Sequence, residues 1–178
     1  MALVPPPANL HSPRLATTVV PVSRLYRVSR HNSGEPFFGR TGGNRFDAPL
    51  AWPLSMRYGT CYLGFDLHTA IAETVLHDLL PVGNTYQVSR ADFDSRFLAR
   101  FTGTSLMLAV MHGPALKVLA GDGSLSTVVP YDLPQEWSAA IHAHPQNVDG
   151  IIYMSRHLND RKAVLVFDRA AASFTSAR

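Results

Sequence analysis

The segment GIIYMSRHLNDRKAVLVF, residues 150–167, contains two short apolar runs, GIIYM at 150–154 and AVLVF at 163–167, separated by the polar loop SRHLNDRK. Both runs are rich in β-branched and aromatic residues, which at this length favours strands over helices. Upstream, TCYLGF at 60–65 has the same character and predicts another buried strand. The three runs together predict a sheet at the centre of the molecule.

The rest of the chain adds more strands than helices. Further strands are predicted from RLYRVS at 24–29, YQVS at 86–89, FLARF at 97–101, SLMLAV at 105–110 and LKVL at 116–119. Helices are predicted from AIAETVLHDLL at 70–80, capped by Asp66 or Thr69, and from QEWSAAIHA at 135–143. Because strands and helices do not alternate regularly, a chain of 178 residues is expected to form one α+β domain. Its core would be a mixed or antiparallel sheet with flanking helices.

The first 23 residues contain five prolines and no helical period, so they predict an extended arm that lies on the domain or is partly disordered. We expect the folded domain to span residues 24–178. No stretch approaches the roughly 18 apolar residues of a membrane span, and no secretory leader is recognisable. We therefore expect a cytoplasmic protein without a membrane partner. The single cysteine, Cys61, lies in an apolar run and is expected to be buried rather than reactive.

Charge is distributed unevenly along the chain. Residues 1–60 carry seven arginines against Glu35 and Asp47, a net charge of +5, whereas residues 61–178 carry nine basic and eleven acidic residues, a net charge of −2. Fourteen of the sixteen basic residues are arginine, whose forked guanidinium suits phosphate and carboxylate groups. This composition favours a phosphate-bearing ligand near the first third, although many of these arginines could simply be solvated surface charge.

Glu73 is a carboxylate within a mostly apolar predicted helix. Ala70, Glu73 and His77 would share one helical face, with the small Ala70 leaving room beside the carboxylate. A surface ion pair between Glu73 and His77 fits the same spacing equally well. A metal site built from Glu73, His77 and the histidines at 142 and 144 is a further alternative, but no HExxH or paired-cysteine spacing supports it, and we expect no metal.

Ser155 follows the strand GIIYM and opens a loop. A serine at such a junction can present its hydroxyl to a cleft, or it can simply form a turn. No Gly-x-Ser-x-Gly elbow surrounds it, so we expect Ser155 to bind or orient a group rather than to attack as a nucleophile.

Taken together, these motifs resemble a known family over roughly residues 24–168. The motifs are LYRV at 25–28, NRFD at 44–47, CYLG at 61–64, TAIAETVLHD at 69–78, VDGIIYMSR at 148–156 and AVLVF at 163–167. Their order and spacing resemble those of the RES-domain proteins, a family named for Arg, Glu and Ser. The resemblance implies a fold similar to the ADP-ribosyltransferase toxins and a cleft that binds NAD as substrate. It also implies a bacterial growth-arresting toxin paired with an Xre-like antitoxin.

The resemblance implies roles for five residues. Arg27, Glu73 and Ser155 match the Arg, Glu and Ser of the family name and would be catalytic, while Arg45 matches a second arginine and Tyr62 the tyrosine of the central strand. Arg27 and Arg45 would clamp the pyrophosphate or a ribose edge. Tyr62 would face the nicotinamide, and Ser155 would reach the amide or the ribose. The family usually has Gly-Arg-Trp-Asn where this chain has NRFD at 44–47.

The chemistry of NAD cleavage fits this set of residues. Departure of nicotinamide leaves an oxocarbenium-like ribose, which the Glu73 carboxylate could stabilise. Because nicotinamide leaves as a neutral molecule, no general acid is needed. Water or inorganic phosphate could accept the ADP-ribosyl group, and so could a target protein. A basic nucleic-acid-binding module is a rival of another class, given a pI of about 9.3, but no recognisable nucleic-acid-binding motif supports it.

Overall fold

A computed structural model of the chain describes residues 3–76 and 79–177. Within them the chain forms a mixed eight-stranded sheet and four α-helices. The strands are β1 (Thr17–Pro21), β2 (Tyr26–Ser29), β3 (Thr60–Gly64), β4 (Phe97–Gly103), β5 (Ser105–Val110), β6 (Gly150–Met154), β7 (Lys162–Phe167) and β8 (Phe174–Ala177). The helices are α1 (Leu67–Ala72), α2 (Arg90–Asp94), α3 (Gly113–Val118) and α4 (Asp132–His142). The predicted α+β class is confirmed.

The strand order is β1-β5-β6-β7-β3-β2-β4-β8. Every neighbouring pair is antiparallel except β5 and β6, which are parallel. The two runs quoted first, at 150–154 and 163–167, pair with each other as β6 and β7, and β3 pairs along its whole length with β7. The sheet predicted at the centre of the molecule is therefore present.

Alternating side chains of the central strands pack into an apolar core on each face of the sheet. Ala163, Leu165 and Phe167 of β7 pack into one apolar cluster, together with Trp137 of α4. Val164 and Val166 pack into a second cluster on the opposite face. This period-two division is what a fully covered central strand requires.

The proline-rich segment joins this core. β1 pairs with β5 as an outer strand of the sheet, and Leu3, Leu10 and Leu15 are buried in the first cluster. The indole nitrogen of Trp137 donates a hydrogen bond to the Val4 carbonyl, at 2.8 Å. Residues 3–21 therefore pack on the domain.

Two predicted strands are wrong. LKVL at 116–119 lies largely in α3, where Pro114 occupies the first turn and only Leu116 is buried. A four-residue apolar run does not by itself distinguish a strand from a short helix. YQVS at 86–89 is irregular, because Ser89 caps α2 by accepting a hydrogen bond from the Asp92 N–H, at 3.0 Å.

Helix α1 is shorter than the predicted helix at 70–80. Asp66 caps its start as expected, accepting a hydrogen bond from the Thr69 N–H at 2.8 Å. The helix ends at Ala72 because the Ile71 carbonyl accepts hydrogen bonds from the N–H groups of residues 74, 75 and 76. The predicted helix is therefore wrong at residues 73–76 and 79–80. His77, the proposed surface partner of Glu73, lies outside the described residues.

Candidate functional site

Strands β2 and β3 diverge, and a cavity of about 370 Å³ opens where they separate. Only Tyr26 and Gly64 pair the two strands directly, whereas at the other end of β3 Thr60 pairs with Gly39 of the intervening loop. The cavity wall therefore combines residues from β2, β3 and the long loop between them.

The structure brings the five predicted site residues to this cavity. Arg27, Arg45, Tyr62 and Glu73 line it. Ser155 is 1% exposed and lies behind the wall, in contact with Glu73. These side chains come from two strands, two loops and the end of a helix, and only the tertiary fold assembles them.

Glu73 is the first residue beyond α1, where the short helix directs it toward the end of β6. Its Oε1 accepts a hydrogen bond from the Ser155 hydroxyl. The Ser155 oxygen also accepts hydrogen bonds from the backbone N–H groups of His157 and Leu158, at 3.2 and 3.0 Å. Ser155 thus both closes the turn after β6 and holds one carboxylate oxygen of Glu73.

Tyr153 is a second partner of Glu73 that sequence reasoning missed. It lines the cavity, is 3% exposed, and interacts electrostatically with Glu73. Burial, and then the nearby Glu73 charge, raise the pKa of Tyr153 well above its ordinary value, so the phenol remains a donor. Alternation along β6 was the available signal, because Tyr153 lies two residues before Ser155.

Arg45 is 8% exposed and fixed by two contacts within the wall. Its Nη1 donates to the Val128 carbonyl at 2.5 Å, and its guanidinium lies 4.6 Å from the centre of the Tyr131 ring. Its Nη2 is buried without a hydrogen-bond partner among the described residues. A desolvated guanidinium nitrogen without an acceptor is costly, which is consistent with a site for an anionic ligand.

The side chain of Tyr62 is fixed by two hydrogen bonds of its hydroxyl. The oxygen accepts from the Phe46 N–H at 2.9 Å, and the hydroxyl donates to Asp47 Oδ1 at 3.1 Å. Burial raises the pKa of Tyr62 well above its ordinary value, so the phenol stays neutral. With its hydroxyl fixed in this way, the ring forms part of the cavity wall.

Arg27 is paired with Glu35, a partner that sequence reasoning missed. Arg27 Nε lies 3.0 Å from Glu35 Oε2, and the two side chains are 16% and 3% exposed. Arg27 Nη1 also contacts the Phe37 carbonyl and the Cys61 sulfur. The proline- and glycine-rich loop around Glu35 has no periodicity that would have predicted this contact.

Cys61 is fully buried, as predicted. Burial raises the pKa of its thiol to about 11, although Arg27 acts in the opposite direction. The thiol is therefore protonated at neutral pH, which excludes a reactive thiolate at this position.

The cavity is cationic. Among the described residues its wall contains five arginines, at 27, 30, 45, 96 and 156, and one acidic residue, Glu73. Arg27 forms an ion pair with Glu35. Arg30 forms another with Asp92, with 2.7 Å between Arg30 Nη2 and Asp92 Oδ1. The other three arginines form no ion pair with any described residue, so cationic side chains outnumber acidic ones among the described residues of the wall.

The histidines proposed for a metal site serve other purposes. His142 stacks on Tyr58 with ring centres 4.0 Å apart, and burial lowers its pKa to about 4. His144 Nε2 lies 3.1 Å from the Pro13 carbonyl. In the part of the chain that the structure describes, no group of three or more His, Cys, Asp or Glu side chains could hold a metal ion.

The fold and the cavity define an α+β protein with an arginine-rich cavity in which Glu73 is the one acidic residue among the described lining residues. The sequence signature of the RES domain matches residues 24–178, so the chain belongs to the RES domain family. A comparison with curated protein sequences finds no match.

Among solved structures, the chain is similar to the toxin in the crystal structure of the M. tuberculosis MbcT–MbcA toxin–antitoxin complex. The TM-score is 0.60 at 11% sequence identity, and the match covers 92% of this chain and 84% of that chain. At this identity the likeness concerns the fold. Separately, none of the helices in residues 3–76 and 79–177 is long and apolar enough to cross a membrane.

Proposed function

We propose that this RES-domain protein is the toxin of a toxin–antitoxin pair, and that it binds NAD and cleaves the nicotinamide–ribose bond. The observation that carries the proposal is the charge pattern of the cavity, in which one carboxylate, Glu73, lies in an otherwise cationic wall. The negative charges of the NAD pyrophosphate are complementary to the arginines of the wall. The only positive part of NAD, the nicotinamide ribosyl end, matches Glu73.

The proposed reaction breaks the bond between ribose C1′ and the nicotinamide nitrogen. The bonding electron pair leaves with nicotinamide, which becomes neutral, while positive charge develops on C1′ and the ring oxygen. Glu73 stabilises that charge through a position fixed by Ser155 and Tyr153. Water or inorganic phosphate then adds through an oxygen to C1′, and water releases a proton to solvent.

In this proposal Arg45 binds the pyrophosphate, and Arg27, already balanced by Glu35, acts at a ribose edge. Tyr62 contributes an aromatic wall for nicotinamide. Ser155 acts chiefly through Glu73, because it lies behind the cavity wall. The protein is proposed to need no metal.

The enclosed position of the charge favours a small anionic ligand over nucleic acid. A nucleic-acid surface would expose its arginines along a face or groove, whereas Arg45 is 8% exposed within a cavity. The same cavity would serve transfer of ADP-ribose to a protein, because the acceptor approaches from outside. Released nicotinamide measured with and without phosphate, together with a search for ADP-ribosylated protein, separates the three acceptors.

The proposed partner is an Xre-like antitoxin, and the proposed site of action is the cytoplasm. Support comes from membership of the RES family and from the fold shared with a protein solved in a toxin–antitoxin complex. Co-expression with the neighbouring gene product should restore growth and yield a complex that co-purifies. Growth arrest that persists, with no complex formed, would contradict the partner proposal.

A further inference from the structure

Asp47 lies directly behind the cavity wall. It is 1% exposed and does not line the cavity, whereas its three side-chain partners Asn44, Thr60 and Tyr62 all do. Its position therefore allows it to act on a bound ligand only through these neighbours.

The Asp47 carboxylate accepts four hydrogen bonds, two at each oxygen. Oδ1 accepts from the Thr60 hydroxyl at 2.6 Å and from the Tyr62 hydroxyl at 3.1 Å. Oδ2 accepts from both the backbone N–H and the side-chain amide of Asn44, each at 3.0 Å. One oxygen thus holds strand β3 and the other holds the loop that carries Arg45.

Asp47 has no basic partner in any ion pair of the described residues. Burial of a carboxylate without a cation is costly unless hydrogen bonds satisfy it, and here all four come from groups around the cavity. Arg45 lies between Asn44 and Asp47 in the chain, inside the turn that Oδ2 closes.

We infer that Asp47 is a positioning residue of the ligand site, which fixes the loop of Arg45 against the strand of Tyr62. This inference rests on the proposed function, because it assigns the two fixed groups to opposite ends of one bound dinucleotide. In this arrangement Asp47 sets the distance between the guanidinium that receives the pyrophosphate and the ring that receives nicotinamide.

The substitution Asp47→Asn tests the inference with little change in volume. Its single oxygen can still accept from the two fixed donors of Asn44. The new amide N–H groups then face Thr60 and Tyr62, and the Tyr62 oxygen already accepts from the Phe46 N–H. The substitution therefore weakens the contacts of residue 47 with β3 and keeps the turn that its other oxygen closes with Asn44. The matched control is Asp149→Asn, which alters a partly buried carboxylate that accepts from the Met107 N–H at 2.7 Å and does not line the cavity.

Two measurements are made on each folded variant, well below its melting temperature: binding of ADP-ribose by calorimetry, and KM and kcat for NAD cleavage. For Asp47→Asn we expect affinity for ADP-ribose to fall about tenfold and KM to rise by a similar factor, with kcat changed less, because a misplaced clamp weakens ground state and transition state alike. Asp149→Asn should leave all three values unchanged.

Tyr62→Phe removes the hydrogen bond between Tyr62 and Asp47 by deleting its donor. The double variant Asp47→Asn/Tyr62→Phe should therefore bind ADP-ribose no more weakly than the poorer single variant. If Asp47→Asn does not fold, Tyr62→Phe alone is the test: its affinity for ADP-ribose should fall, and an unchanged affinity would overturn the inference. Unchanged affinity and KM in Asp47→Asn, or fully additive losses in the double variant, would overturn the positioning role. A parental protein that binds ADP-ribose but leaves NAD intact would overturn the proposed cleavage and leave the positioning role supported by binding. A parental protein that binds no ADP-ribose would overturn both.

Discussion

The Ser155 hydroxyl donates a hydrogen bond to Glu73 Oε1, although the two residues are 82 positions apart in the chain. The same oxygen accepts hydrogen bonds from the backbone N–H groups of His157 and Leu158. One atom therefore fixes both the turn after β6 and the carboxylate of Glu73. Because Ser155 is buried behind Glu73, its effect on any reaction should pass through the carboxylate.

Ser155→Ala should therefore lower the rate of NAD cleavage less than loss of the Glu73 charge does. The variant loses one hydrogen bond to a charged carboxylate, a net contribution of about 1.5–3 kcal/mol, and leaves two N–H groups to find other acceptors. We expect a rate loss of roughly tenfold, measured as released nicotinamide, and a lower melting temperature. Ser95→Ala is the control: this half-buried serine at the end of α2 donates to the Asp92 carbonyl at 2.8 Å, and its loss should not change the rate. An unchanged rate in Ser155→Ala would argue that Glu73 needs no such partner.

Tyr153→Phe should reduce turnover without a large loss of stability. The substitution removes the hydroxyl that interacts with Glu73 and preserves the aromatic ring, which packs edge-on against Phe46 with centres 4.8 Å apart. We expect kcat to fall severalfold with KM little changed, as determined by steady-state kinetics, and a melting temperature close to that of the parental protein. A variant with parental kcat would show that Ser155 alone suffices to hold the carboxylate.

Arg27→Ala should impair both ligand binding and folding. It leaves the Glu35 carboxylate, 3% exposed, without its cation, and breaking such a buried pair typically costs about 3–5 kcal/mol. Urea denaturation measures the loss, and the double variant Arg27→Met/Glu35→Leu should recover part of it while still binding NAD weakly. If Arg27→Ala had parental stability, the ion pair would contribute little to the fold.

Stability should fall in mildly acidic solution because of His142. Burial lowers its pKa in the folded state to about 4, from 6.5 in the unfolded chain, so the unfolded chain binds more protons between these values. The stabilisation is present above pH 6.5 and is lost as the pH falls toward 4. Melting temperatures measured across this range should decline, and the decline should be shallower in His142→Phe, which keeps a ring stacked on Tyr58. An identical decline in both proteins would assign it to other groups.

Local sequence patterns predicted the central strands well, because runs such as GIIYM and AVLVF are rich in β-branched and aromatic residues, which favours strands over helices. They predicted the end of α1 poorly. The Ile71 carbonyl accepts hydrogen bonds from three N–H groups where the helix ends, a local detail of the backbone that propensity does not encode. LKVL failed for a related reason, since a short apolar run fits either element.

The candidate site, too, contains residues that the sequence indicated and residues that it did not. The family resemblance indicated Glu73 and Ser155, and the structure places them in contact. Glu35 and Asp47 were visible in the sequence only as the two acidic residues of a basic first third. Their roles depend on loops that fold back on β2 and β3, and such contacts have no periodic signal. The balance of charge in the cavity therefore emerged only from the structure.

The central claim is that Glu73 stabilises positive charge on the ribose, and Glu73→Gln tests it most directly. The substitution keeps the size of the side chain and an oxygen able to accept from Ser155, but it removes the charge. We predict a protein with a near-parental melting temperature and parental affinity for ADP-ribose, in which nicotinamide release falls by about 100-fold or more. A folded Glu73→Gln protein that releases nicotinamide from NAD at the parental rate would contradict the claim.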